Sequence, residues 1–125
     1  MMLDTDVLIL LEKNDPLARA WYVSLHSPPF AAGFAAMELL AGCENSTDRK
    51  RIERMLQDFQ LLWPDEATLE QAAKDYGALR LSSGVGVIDM LIASTAISQG
   101  HEIVTFNFKH FRAIPGVTIR QPFPR

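Results

Sequence analysis

The sequence predicts an α/β fold in a single domain, a parallel sheet of four or five short strands flanked by helices. Short apolar, β-branched runs alternate along the chain with stretches of helical periodicity. No repeat, low-complexity tract or linker divides the 125 residues. A chain of this length buries roughly 70% of its unfolded surface, and its 48% hydrophobic content supplies a core without disulfide or metal staples.

Met2 to Leu10 is β-branched and apolar except for Asp4 and Asp6 and reads as a buried first strand. Asp15-Pro16 pairs a helix cap with proline at the first helical position, opening a helix to about His26, which Pro28-Pro29 break. Phe30 to Phe34 is the second strand and Ala35 to Gly42 a short helix ended by glycine. From Ser46 to Phe59 the stripe Ile52, Met55, Leu56, Phe59 marks a surface helix. Leu61 to Trp63 is a third strand stopped by Pro64, and Asp65 opens a helix to Leu81. After a loop at Ser82 to Gly86, Val87 to Ser98 is apolar on nearly every face, which predicts a central helix ended by Gly100. Glu102 to Phe106 and Val117 to Ile119 complete the strands.

A net charge of −3 and a pI near 5.5 argue against broad electrostatic attachment to nucleic acid. They leave room for a phosphate-handling enzyme whose bound cation reverses the local field. The lone Cys43 excludes an internal disulfide and suits a reducing compartment. No signal peptide or membrane span is expected, so the predicted location is cytoplasmic, with no membrane partner.

Most of the 15 acidic residues lie in polar stretches. Asp4 and Asp6 lie instead in the first strand run, Glu38 is the only charge between Ser27 and Cys43, and Asp89 the only formal charge between Leu81 and Gly100. Burying a lone carboxylate costs several kcal/mol unless it has a partner, a metal or water. Each has a structural alternative: Asp4 or Asp6 as a cap, Glu38 in an ion pair, Asp89 favoured by the dipole of its own helix. A shared cation accounts for all of them together. In an open parallel sheet, ligands gather beyond the carboxyl ends of the strands. Asp4 and Asp6, two apart on a strand, point to the same side, while Glu38 and Asn107 follow later strands. Oxygen ligands without a His/Cys set suit Mg²⁺ or Mn²⁺ rather than zinc. Such a site activates water for in-line displacement at a phosphodiester.

Five stretches, Leu3-Asp-Thr-Asp-Val-Leu-Ile9, Met37-Glu-Leu-Leu-Ala-Gly42, Ile88-Asp-Met-Leu-Ile-Ala-Ser-Thr-Ala96, Val104-Thr-Phe-Asn-Phe-Lys-His-Phe111 and Ile114-Pro-Gly-Val117, carry a resemblance over almost the whole chain. In this order the sequence resembles the PIN-domain nucleases and, within them, the VapC-type toxins of bacterial toxin–antitoxin pairs. The resemblance implies a three-layer fold, Mg²⁺- or Mn²⁺-dependent cleavage of RNA, a homodimer and inhibition by a cognate protein antitoxin. It places Asp4, Glu38 and Asp89 at the family's principal acidic positions, as catalytic residues and metal ligands. Asp6 stands where asparagine is frequent, Asn107 where many members carry a fourth acid, and Thr105 at a hydroxyl lining the site.

Lys109, His110 and Arg112 lie just after the site and are candidates for RNA phosphate contacts. Arg49, Lys50, Arg51 and Arg54 form a basic stretch that reads first as a solvated helix face. Two other readings compete. A catalytically inactive PIN-like binding module would keep the fold without the chemistry. Asp4-Thr-Asp6 after an apolar run also resembles the opening of haloacid-dehalogenase-like phosphatases, but these need a late acidic pair, and after Asp89 only Glu102 is acidic.

Overall fold

Asp4 ends the first strand and starts the first helix. In the computed structural model, which describes residues 1–125, Met2–Leu3 forms β1. Asp4 then turns the chain (φ −80°, ψ 167°), and its carboxylate accepts the Thr5 N–H at 2.7 Å, capping α1 (Thr5–Glu12). The apolar run expected to be one strand is therefore mostly helix, with Val7 and Leu8 as its buried face. Asp4 and Asp6 do not share one side of a strand: Asp4 caps and Asp6 stands in the first helical turn.

Capping chemistry also sets half of the later helices. Asp15 accepts the Ala18 N–H at 3.0 Å and Pro16 leads α2 (Pro16–Ser24). Asn45 caps α4 (Ser46–Leu56) and Asp65 caps α5 (Glu66–Ser83). The latter runs two residues past its expected end, to a left-handed Gly84. Between them lie β2 (Phe30–Ala32), α3 (Gly33–Ala41) and β3 (Leu61–Leu62). The central helix, α6 (Val87–Gln99), buries Met90 and Ile92 to Ala96 and ends at Gly100 in the left-handed region (φ 71°). β4 is Ile103–Val104 and β5 Ile119–Arg120, both shorter than or offset from the expected runs, and a single-turn helix α7 (Phe108–Phe111), not expected from the sequence, lies between them.

All five strands are parallel, in the order β3-β2-β1-β4-β5. β1 is central, with Met2 in register with Phe30 on one side and Ile103 on the other. The core sits on this sheet: Met2, Leu3, Ile103 and Val104 from the strands, Val7 and Leu8 from α1, Ile92 from α6 and Phe111 from α7 are fully buried. Helix α6 packs on α3, α5 and α7, and α1 on α2 and α3. No helix is long and apolar enough to cross a membrane.

Candidate active site

Strand order reverses between β1 and β4, which places the crevice beyond their carboxyl ends, between the connections that leave them. The sequence-predicted residues are distributed around it. Asp4 follows β1, Glu38 lies in the second turn of α3 after β2, Thr105 and Asn107 follow β4, and Asp89 occupies the first turn of α6. Asp4 is 3% exposed and Thr105 fully buried, whereas Glu38 and Asn107 are exposed.

Thr105 ties the first two carboxylates together. Its hydroxyl lies 2.8 Å from Asp4 Oδ2 and 3.3 Å from Asp6 Oδ2, and accepts the Asn107 N–H at 2.9 Å. With one proton to give, it donates to the nearer Asp4. Asp6 is held by backbone: Oδ1 accepts the Val7 N–H and Oδ2 the Phe106 N–H, each at 2.8 Å. Asp89 meets His110, whose Nδ1 lies 3.1 Å from Asp89 Oδ2. Glu38 makes no ion pair.

The carboxylates sense one another. Burial first, then the charge of Asp6, pushes the Asp4 carboxyl up to about 7, against hydrogen bonds from Thr105 and Thr5, and Asp89 adds to the rise. Asp89 is raised too, by burial first; His110 opposes that rise, and the charges of Glu38 and Asp6 add to it. Asp4, Asp6, Glu38 and Asp89 thus form one electrostatic cluster, and His110 is the only basic side chain paired with it.

Two structural alternatives from the sequence hold alongside this clustering: Asp4 is a cap and Asp89 stands at a helix start. The expected ion pair for Glu38 is absent. In the basic stretch, Arg49 pairs with Glu53, and Arg51 with Glu12 and Asp48, so these two arginines are spent on the protein itself.

As the side chains stand, no three acidic, histidine or cysteine groups enclose a metal ion. The donor set nevertheless fits a hard divalent cation: oxygen-rich, overcharged, and holding a buried Asp4 with no cation of its own. A second observation agrees. Thr5 Oγ1 is the one buried side-chain polar atom without a hydrogen-bond partner, and Thr5 lines a cavity of about 480 Å³ with Asp6, Glu38 and Asn107. Buried hydroxyls are ordinarily satisfied, so this one marks a place where water or ligand belongs. Sequence reasoning passed over Thr5 because a threonine inside an apolar run carries no periodic or charge signal.

The chain belongs to the PIN-domain family, whose model matches residues 1–117. Its relatives narrow this further. It is 30% identical over 113 residues to Ribonuclease VapC10 of Mycobacterium tuberculosis, covering 89% of this chain and 85% of the relative. It is 29% identical over 124 residues to the tRNA(fMet)-specific endonuclease VapC of Salmonella typhimurium, covering 94% of each. Among solved structures, the DNA-bound VapBC complex of Salmonella typhimurium matches with a TM-score of 0.77 at 28% identity, over 98% of this chain and 97% of that one.

Proposed function

We propose that this protein is a divalent-metal-dependent endoribonuclease, the toxin of a toxin–antitoxin pair, in which Asp4, Glu38 and Asp89 hold Mg²⁺ or Mn²⁺. The observation that carries the reading is the convergence of carboxylates, from buried Asp4 to exposed Glu38, with a single histidine paired to them. A divalent ion there supplies charge stabilisation and an activated water for phosphodiester hydrolysis. The chain's own groups do the arranging. Thr105 orients Asp4. Asp6 braces the start of α1 against the Phe106 backbone and acts as support rather than as a ligand. Lys109 and Arg112 are exposed and make no ion pair, which suits RNA phosphates beside the site; exposed His110 adds a further polar contact there.

Partners follow from surface features and from the relatives. A cleft of about 370 Å³ between α1, α2 and α4 is lined by Leu11, Tyr22, Val23 and Phe59 and rimmed by Arg19 and Arg54, a fit for an amphipathic, acidic antitoxin segment. A homodimer is what the family resemblance implies, and Leu81, 91% exposed at the end of α5, is a candidate contact for it. The free Cys43 agrees with work in the cytoplasm.

Purified protein freed of antitoxin is expected to cleave RNA with Mg²⁺ or Mn²⁺, leaving 5′-phosphate and 3′-hydroxyl ends, and to stop in EDTA. Asp4→Asn, Glu38→Gln and Asp89→Asn should each lower the rate roughly 10²-fold or more while remaining folded. Undiminished cleavage in EDTA overturns the metal mechanism. A wild type that binds a partner and cuts nothing would establish the inactive-module reading.

A further inference from the structure

Helix α7 is one turn long, yet it is firmly placed. Phe111 is fully buried and Ile114 nearly so, and backbone bonds from His110 to Asn107 (3.1 Å), Arg112 to Phe108 (2.9 Å) and Ile114 to Phe111 (2.9 Å) close the turn. The turn packs on α6, which sets His110 Nδ1 3.1 Å from Asp89 Oδ2. The same oxygen leans back over Gly86, where an added Cβ would stand 3.6 Å from it. Asp89 Oδ2 is thus turned toward its own helix start and the imidazole, and no other side chain is paired with this carboxylate.

We infer that His110 is a positioning residue for Asp89: through Nδ1 it fixes the rotamer of a carboxylate that the catalytic cluster needs. This rests on the nuclease reading and adds a residue to it. A carboxylate ligand is held by its outer partners, and losing one typically weakens metal affinity or activity by about 10- to 100-fold. With His110 anchored by a buried phenylalanine one residue on, the orientation of Asp89 is set by the core rather than left to solvent.

Mn²⁺ titration by calorimetry tests this on the antitoxin-free protein, with thermal melts as a check on folding. His110→Ala should weaken Mn²⁺ binding about 10-fold or more and leave the melt near that of the wild type. Asparagine places its amide nitrogen close to the position of Nδ1 and glutamine close to that of Nε2. His110→Asn should therefore restore most of the affinity, and His110→Gln should not. Rescue by glutamine alone would show that Nε2 is the working atom and overturn the inference. So would equal or tighter binding in His110→Ala, which would make the imidazole a bystander or a competitor of the cation. If the wild type itself bound no Mn²⁺, the nuclease reading would fall first and this inference with it.

Discussion

Asp4 and Asp6 stand two residues apart in one motif and do different work. Both oxygens of Asp6 are taken by backbone donors, Val7 N–H and Phe106 N–H. Asparagine has one acceptor oxygen, so Asp6→Asn would turn an amide N–H₂ onto one of those donors. We expect it to lower stability by about 1–3 kcal/mol while reducing metal affinity far less than Asp4→Asn does. Melts and calorimetry on both variants measure this, and a large affinity loss at an unchanged melting temperature would make Asp6 a ligand. The acids themselves were legible because a lone charge in an apolar window is conspicuous. Their supports were not. Nothing in the sequence links Phe106 N–H to Asp6 or His110 to Asp89, because these contacts join separate elements and leave no local spacing.

At the scale of elements, caps and glycines were readable and strand lengths were not. Asp15-Pro16, Asp65 and Gly100 mark helix ends as expected. The run after Leu3 misled because a short apolar stretch has no period long enough to separate a strand from a buried helix, and only the Asp4 cap decides between them. Gly33 carried no signal either, although the join of α3 to the sheet depends on it. A Cβ there would lie 2.6 Å from the Trp63 ring. That ring meets Phe34 edge-on at 5.4 Å, and the Trp63 carbonyl accepts a hydrogen bond from Gln99. Gly33→Ala should force the indole outward, costing about 1–3 kcal/mol by overpacking. Since Trp63 is already 44% exposed, the fold should survive. A lower melting temperature with altered tryptophan emission is the expected result; an unchanged melt would mean that the ring moves freely.

For the molecule as a whole, the cluster couples stability to pH. The folded protein holds the Asp4 proton up to about pH 7, against an ordinary aspartate value of 3.8 in the unfolded chain. Below pH 3.8 both folded and unfolded chains carry that proton, and no difference arises. Between the two values the unfolded chain has lost it and the folded one has not, so stability falls as pH rises, and the full cost is reached above pH 7. The raised Asp89 works in the same direction. In EDTA, melting temperature should therefore decline from pH 5 to about pH 8, and Asp4→Asn should flatten the decline. A divalent cation should stabilise more at pH 8 than at pH 5, because it binds the ionised form. A flat wild-type profile in EDTA would show that Asp4 is ionised throughout.

The bond from Thr105 to Asp4 joins residues 101 positions apart, and this separation bears on how the protein is made. A ribosome delivers the chain from its amino end. By the time α6 has emerged, Asp4, Asp6, Glu38 and Asp89 are all outside the exit tunnel, but Thr105, the Phe106 amide and His110 are still to come. The acids arrive first with only the local Thr5 and Val7 amides to hold Asp4 and Asp6, and the contacts that tie the cluster together come with β4 and the residues after it. A nascent chain therefore carries its charge before its aim, and the cluster is tied together only once β4 and the turn after it have joined the fold.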